Sequence, residues 1–302
     1  MKIVIAGGSG FIGKKLTDFL VNEGHDVVIL SRKDKKGAAN ISYVQWLQEG
    51  ATPEIAIGSA DAFVNLAGVS INAGRWNAEH KQQIYDSRMV ATDELLRIIS
   101  ALSTKPSVLI NASAIGIYPA SESTFYTEAD TVIGDDFLAQ TVADWEKRAA
   151  LVESEGTRAV FMRFGVVLGK GDGALPPMVL PYKLFAGGKV GSGRQWLSWV
   201  HIDDVVRAIR FAIDNNHIQG PVNTTSPFPK RMDDFGKTIS SVLHRPHWFP
   251  VPSFVMKAVL GKKSALVLEG QHVLPKKLAD NGFEFKFPDL ESALKNILLE
   301  DV

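Results

Sequence analysis

The chain has 302 residues, with 33 basic residues (Lys and Arg) balanced by 33 acidic ones, and no cysteine. Zero net charge disfavours a protein that binds nucleic acid by neutralising phosphates. The lack of cysteine excludes disulfides, thiolate metal sites and cysteine nucleophiles. No apolar run reaches the ~18 residues of a membrane helix, and the strand predicted from Ile3 leaves no room for a signal peptide. We therefore expect a cytoplasmic protein without a nucleic-acid or membrane partner.

A glycine-rich turn follows the first predicted strand, which covers residues 3–6. That short β-branched run is typical of a strand buried on both faces, and a helix with one apolar face follows the turn. In such a unit, glycines form the tight turn, let backbone approach a pyrophosphate and let the helix pack on the strand. We predict that the turn binds a dinucleotide, with a purely structural turn as the alternative. Its predicted binding residues are Gly7, Gly10, Phe11, Ile12 and Gly13.

The end of the second predicted strand, residues 27–30, indicates which dinucleotide is bound. An NAD site usually places Asp or Glu there, to accept a hydrogen bond from the ribose 2′-hydroxyl. In this chain Ser31 and Arg32 follow the strand instead. A serine hydroxyl can donate to a 2′-phosphate, and a guanidinium can form a charge-assisted pair with it. We therefore predict NADP(H) as the cofactor, with a solvated basic loop as the alternative.

Strands and helices alternate over the next part of the chain. Strands are predicted at 62–68, 108–111 and 159–169, with helices at 79–101 and 137–152 between them. This alternation predicts an α/β protein with a Rossmann fold, a doubly wound parallel sheet whose site lies at the carboxyl ends of the strands.

The pattern changes near residue 170. Glycines and prolines crowd residues 171–193, which predicts a long irregular excursion. A helix with Asp203 or Asp204 as its N-cap is predicted next, followed by a short strand at 222–224. Further helices are predicted at 233–243, 253–260 and 290–299. We assign residues 1–170 and 201–226 to an NADP-binding Rossmann domain and residues 171–200 and 227–302 to a small C-terminal substrate-side lobe.

Motifs dispersed over essentially the whole chain carry a family resemblance. Besides the glycine turn, residues 65–68 (NLAG) and 198–205 (SWVHIDDV) match segments of the extended short-chain dehydrogenase/reductases. The chain therefore resembles the NAD(P)-dependent epimerase/dehydratase superfamily. Residues 163–169, 191–199 and 268–275 match more narrowly the atypical branch of nucleoside-diphosphate-sugar epimerases with a C-terminal domain of unassigned role.

Further cofactor-binding residues follow from strand ends and from this resemblance. Ala67 and Gly68 are small where a strand ends, which suits contact with the cofactor, and the branch resemblance implies that Gln83 and Arg88 face the dinucleotide. Arg163 ends a buried strand and needs either a carboxylate of the protein or a phosphate of the ligand. The full set predicted outside the glycine turn is Ser31, Arg32, Leu66, Ala67, Gly68, Gln83, Arg88, Ala112, Arg163 and Val167.

The catalytic residues that the resemblance implies are missing from their expected positions. The superfamily uses Ser or Thr with a Tyr-x-x-x-Lys pair for acid–base catalysis, but alignment on Glu146 puts Leu138 and Val142 at the Tyr and Lys positions. Ser113 and Tyr118 are the remaining candidates for proton transfer, and the alternative is that both are structural. No metal site is predicted.

The resemblance thus implies an NADP(H)-binding oxidoreductase or epimerase that acts by hydride transfer on a small or sugar-nucleotide-like substrate. The alternative is an NADP(H)-binding sensor or scaffold that does not turn over. The missing Tyr-x-x-x-Lys pair favours the second, and the glycine turn is compatible with both.

Overall fold

The computed structural model describes residues 1–72, 74 and 76–300. These residues form the strands β1 (Lys2–Ala6), β2 (Asp26–Ser31), β3 (Ile41–Gln45), β4 (Ala62–Asn65), β5 (Val108–Ala114), β6 (Phe125–Tyr126), β7 (Arg158–Phe164), β8 (Val166–Leu168), β9 (Trp196–Leu197), β10 (Trp199–His201), β11 (Gly220–Thr224), β12 (Lys230–Arg231) and β13 (His272–Val273). The α-helices are α1 (Phe11–Asn22), α2 (Pro53–Ile57), α3 (Ala78–Ala101), α4 (Phe137–Ala149), α5 (Leu175–Lys183), α6 (Ile202–Asp214), α7 (Met232–Leu243), α8 (Ser253–Leu260), α9 (Ala265–Leu268), α10 (Lys276–Asp280) and α11 (Leu290–Leu299). None of these helices is long and apolar enough to cross a bilayer.

Seven strands form one parallel sheet in the order β11-β7-β5-β4-β1-β2-β3. The chain order changes direction between β1 and β4, which are neighbours. Such a switch point opens a crevice at the carboxyl ends of the strands, where ligands of open α/β sheets bind. The sheet and its flanking helices confirm the predicted Rossmann α/β fold.

The two faces of the sheet are covered by separate apolar layers. Successive side chains of a strand point to opposite faces. Ile3 and Ile5 of β1 accordingly share one core with Leu20 of α1, while Val4 shares the other core with Leu95 of α3. All five are fully buried, which explains why β1 has no alternation of polar and apolar residues.

A third apolar core lies outside the large sheet. It joins α5, α7 and α11 around Trp199, which is fully buried. Two two-stranded ladders contribute to this core, β8 with β10 and β9 with β12, while a third, β6 with β13, belongs to a separate apolar cluster. The ladder of β6 with β13 pairs the segment after β5 with a segment near the carboxyl terminus, so the middle of the chain contacts its C-terminal part.

Two predicted elements differ from the structure. The stretch 171–193 is not irregular throughout, because it contains α5. Pro176 and Pro177 occupy the first turn of that helix, where no intrahelical N–H donor is needed. The N-cap of α6 is His201, whose Nδ1 accepts from the Asp203 amide at 3.0 Å. Asp203 and Asp204 therefore lie in the first turn, where negative charge suits the helix dipole.

Candidate functional site

The turn between β1 and α1 packs so closely that two of its residues must be glycine. Gly7 has a φ of 82°, and a Cβ there would lie 2.5 Å from the Leu66 carbonyl oxygen. A Cβ on Gly13 would overlap the Gly7 carbonyl. Gly10 is the N-cap residue of α1 and has no side chain to satisfy the first amides of the helix. Free amides at a helix N-terminus bind phosphate groups, so the turn has the construction of a pyrophosphate cradle.

The carboxyl end of β2 carries a hydroxyl and a cation. Ser31 is partly buried, and its Oγ accepts from the Lys33 amide at 3.2 Å. The exposed Arg32 guanidinium makes no hydrogen bond or ion pair with any described residue. This end of the sheet therefore holds groups that attract a phosphate, in place of the carboxylate typical of an NAD site.

Arg88 brings a second cation to the crevice from α3. Its Nη1 donates to the carbonyls of Ile84 at 2.8 Å and Val69 at 3.2 Å, and the guanidinium lies 5.1 Å from the Trp145 ring centroid. Burial lowers the pKa of Arg88 to about 10, and no carboxylate of the described residues pairs with it. Gly68 leaves room for this side chain, because a Cβ there would lie 3.2 Å from Cζ. A desolvated guanidinium without an acidic partner suits a ligand anion.

The other predicted cofactor-binding residues lie around the same edge. Leu66 packs on the cluster that contains Ala112. Gly173 contacts both Phe11 and Val167, since a Cβ there would lie 3.1 Å from the Phe11 ring and 3.3 Å from the Val167 carbonyl oxygen. The structure thus brings the glycine turn at the start of α1 close to the segment after β8. Sequence spacing does not reveal this proximity. Ala67 is partly buried, whereas Gln83 is exposed on α3.

Buried amides join the carboxyl end of β4 to the middle of β5. Asn65 Nδ2 donates to Asn111 Oδ1 at 2.7 Å and to Thr92 Oγ1 at 3.1 Å. Asn65 Oδ1 accepts from the Ala67 amide at 3.2 Å. The bonds position the segment after β4 beside the glycine turn. Sequence analysis missed this role, although two Asn residues within apolar runs that predict buried strands were a usable indication.

Glu146 of α4 is the centre of a buried polar network. Arg163 donates to both of its oxygens, from Nε at 2.8 Å and from Nη2 at 2.7 Å, and Ser113 Oγ donates to Oε1 at 2.5 Å. All three residues are buried. Of the two partners left open for Arg163, the structure contains the protein carboxylate, in the two-pronged geometry of a strong ion pair. The predicted burial of Arg163 indicated that it needed an anionic partner, and the structure identifies that partner as Glu146.

Tyr118 lies at the far end of this network, with no exposed surface. Its hydroxyl accepts from Arg163 Nη1 at 2.8 Å and can donate to Asn223 Oδ1 at 3.0 Å or to the Thr127 carbonyl at 2.9 Å. Burial raises the pKa of Tyr118, even though Arg163 acts in the opposite direction. This geometry is that of a positioning residue. A catalytic role for Tyr118 stays a prediction, and the lack of exposed surface on this side chain does not support it. Val142 packs in the same apolar cluster.

The parallel sheet, the glycine turn and the cations beside it define a Rossmann protein with a turn of the dinucleotide-binding type. The model of the NAD dependent epimerase/dehydratase family matches residues 3–223, and that of a domain of unknown function, DUF1731, matches residues 251–297. The chain therefore belongs to the NAD-dependent epimerase/dehydratase family and carries that C-terminal domain, which confirms the resemblance found in the sequence.

Similar proteins cover the chain almost end to end. The epimerase family protein YfhF of Bacillus subtilis is 48% identical over 301 residues, which are 99% of each chain. The crystal structure of the human epimerase family protein SDR39U1 with NADPH is 34% identical, with a TM-score of 0.88 over 98% of this chain and 99% of that one. A nucleoside-diphosphate sugar epimerase from Corynebacterium glutamicum is 30% identical, with a TM-score of 0.78 over 99% of this chain and 58% of its own.

Proposed function

We propose that this chain binds NADP(H), in preference to NAD(H), across the carboxyl edge of the sheet. The observation that carries the proposal is the closely packed glycine turn with Ser31 and Arg32, and no acid, at the end of β2. The similarity to a human protein solved with NADPH supports it. The turn residues 7–13 would hold the pyrophosphate, and Ser31 and Arg32 would hold the 2′-phosphate.

The remaining predicted residues would line the rest of the cofactor. We assign Arg88 to an anionic group of the ligand, because its desolvated charge has no acidic partner. Arg163 would act indirectly, by holding the Glu146 carboxylate in place. The contact residues along the cleft would be Leu66, Ala67, Gly68, Gln83, Arg88, Ala112 and Val167. Calorimetric titration with NADPH and with NADH tests the assignment, and a chain that binds neither overturns it.

We further propose that the chain is an oxidoreductase or epimerase for a small or sugar-nucleotide-like substrate. Bound NADP(H) supplies the hydride exchange. The protein must then move a proton at the substrate oxygen, and Ser113 is the candidate. When Ser113 Oγ takes a proton from a substrate hydroxyl, its own proton passes to Glu146 Oε1, 2.5 Å away. Arg163 holds that carboxylate in place, and the reverse reaction returns the proton along the same bond.

The second candidate function is an NADP(H)-binding sensor or scaffold. Leu138 and Val142 at the positions of the usual Tyr and Lys favour it, as does the burial of both Ser113 and Tyr118. Incubation of the NADPH-loaded protein with a broad panel of carbonyl compounds separates the two functions. An enzyme oxidises NADPH with at least one of them and loses this activity in Ser113→Ala, with NADPH affinity retained. Binding without turnover across the panel assigns the sensor.

We also propose the division of labour expected from the sequence. Residues 1–170 and 201–226 would bind the cofactor, and residues 171–200 and 227–302 would form the substrate-side lobe of a cytoplasmic protein. The separate apolar core of α5, α7 and α11 supports such a lobe, whereas α10 packs in the core of the large sheet. Hydrogen exchange with and without NADPH tests it. We expect NADPH alone to slow amide exchange at residues 7–13 more than in α7. Equal protection of both by the cofactor alone contradicts the division.

A further inference from the structure

We propose that the C-terminal lobe docks on the surface of an anionic lipid bilayer. The face concerned, named the basic apolar face, combines exposed apolar residues with cations on two neighbouring segments. Its apolar members are Leu180, Leu184, Phe185, Trp248, Phe249, Phe254 and Val259. Its basic members are Lys183, Lys189, Arg245, Lys257 and Lys262.

Every apolar member of this face exposes more than half of its surface to solvent. Trp248 is 70% exposed, Phe254 73% and Val259 74%. The helix α8, which carries Phe254 and Val259, contains no buried residue. Phe185 holds a left-handed backbone, with a φ of 59°, which is unusual for an aromatic residue. Clustered exposed apolar side chains mark an interaction surface.

Backbone hydrogen bonds hold the two segments of the face side by side. The amides of Trp248 and Phe249 donate to the Gly187 carbonyl at 2.9 and 3.0 Å, and Trp248 Nε1 donates to the Phe185 carbonyl at 2.8 Å. The Val251 amide, two residues before α8, continues this pairing by donating to the Lys189 carbonyl at 2.8 Å. These bonds make one fixed surface out of the turn after α5 and the segment that leads into α8.

Partly buried contacts of His247 hold the same segment against α5 and α7. His247 Nδ1 lies 2.9 Å from the Tyr182 hydroxyl of α5, and His247 Nε2 lies 3.0 Å from Asp233 of α7. The rings of Tyr182 and His247 also stack, with centroids 5.9 Å apart. Trp248 and Phe249, which follow His247 directly, are therefore held in place by contacts to α5 and α7.

The charge of this face is entirely positive. Residues 173–192 and 235–268 contain no Asp or Glu, in a chain with as many acidic as basic residues. Lys237 pairs with Asp233, and Lys263 donates to the Asn72 carbonyl. Arg245 donates to the His244 carbonyl at 3.2 Å and lies 4.6 Å from the Phe185 ring centroid. The five basic members of the face form no ion pair with any carboxylate of residues 1–72, 74 and 76–300.

This combination fits a bilayer better than it fits a protein. A second copy of the chain would bring positive faces together around a two-fold axis, which like charges oppose. Interfaces between proteins are depleted in lysine, yet four of the five basic members of this face are lysines. Lysine and arginine beside Trp, Phe and Leu are typical of surfaces that lie in the headgroup region of anionic lipids. The sequence-based expectation of no membrane partner rested on the lack of a spanning segment, which peripheral docking does not need.

Vesicle co-sedimentation of the full chain tests the proposal. We expect binding to vesicles of phosphatidylcholine with phosphatidylserine, little binding to phosphatidylcholine alone, and release at high salt because the attraction is screened. Each basic residue near such a surface is worth about fivefold in affinity. Lys257→Glu with Lys262→Glu should therefore weaken binding by about 25-fold or more. Trp248→Ser with Phe254→Ser should weaken it about as much.

Matched controls use exposed positions away from this face. Lys147→Glu on α4 and Ile55→Ser on α2, where Ile55 is 75% exposed, should leave vesicle binding unchanged. Thermal unfolding of every variant verifies that the fold is retained. The proposal is overturned if both kinds of vesicle bind equally, if neither binds, or if the charge reversals have no effect. Concentration-dependent dimerisation that Trp248→Ser abolishes would assign the face to a second copy and also overturn it.

Discussion

Replacing Arg32 by alanine should weaken binding of NADPH much more than binding of NADH. The guanidinium is exposed and has no partner among the described residues, so its removal breaks no internal bond. A charge-assisted hydrogen bond is worth about 1.5–3 kcal/mol, which corresponds to about 10- to 100-fold in the Kd for NADPH. The NADH affinity should change by less than about twofold, because NADH has no 2′-phosphate for Arg32 to bind.

Isothermal titration of both nucleotides, at two salt concentrations, measures this difference. Lys33→Ala is the matched control: it removes a neighbouring exposed cation but leaves Arg32 in place. If attraction were due only to the positive potential of the loop, both variants would lose NADPH affinity by similar factors. Equal losses for NADPH and NADH in Arg32→Ala would refute the assignment of the 2′-phosphate. Stability should be unaffected, since surface substitutions usually change it by less than about 0.5 kcal/mol.

Three further predictions concern the turn, the buried network and pH. Gly13→Ala should abolish cofactor binding in titration calorimetry, because a Cβ there overlaps the Gly7 carbonyl; unchanged affinity would contradict the cradle. Glu146→Ala should lower the free energy of unfolding by about 3–5 kcal/mol in denaturant titration, because it leaves Arg163 buried without its acid. The apolar double variant Glu146→Leu with Arg163→Met should lose less. Burial lowers the pKa of His201 below 6.5, so protonation favours the unfolded chain and stability should fall as the pH drops through 6.5. His201→Asn, which keeps a capping acceptor, should flatten that slope; an unchanged slope would contradict the reasoning.

Short-range patterns were sufficient for the elements that build the cofactor cleft. The strand before Gly7, the turn and α1 follow one another within about twenty residues of chain, so local sequence contains the whole arrangement. The helices predicted at 79–101, 253–260 and 290–299 likewise lie within a residue of α3, α8 and α11. The helix α5 was missed, because prolines usually indicate a loop, whereas α5 has two in its first turn and Pro181 in its interior.

The buried network could not be predicted in the same way. Tyr118 and Asn223 are 105 residues apart in sequence, and only the order of the strands brings them together. The predicted burial of Arg163 indicated that it needed a partner, but not whether the partner came from the protein or the ligand. The sequence could not show that Ser113 and Tyr118 are buried, because their burial depends on packing by distant segments. Their roles in catalysis stay predictions.

The position of α10 has a consequence for how the chain is made. Leu278 of α10 is fully buried in the same core as α1 and β1, and α10 packs against the edge strand β11. The helical layer that begins with the first twenty residues is thus completed by residues near the end. A nascent chain on the ribosome cannot seal this layer until synthesis is almost finished. A truncation after residue 250 would therefore leave an uncovered hydrophobic gap beside the sheet, and the shortened product should be prone to aggregation and proteolysis.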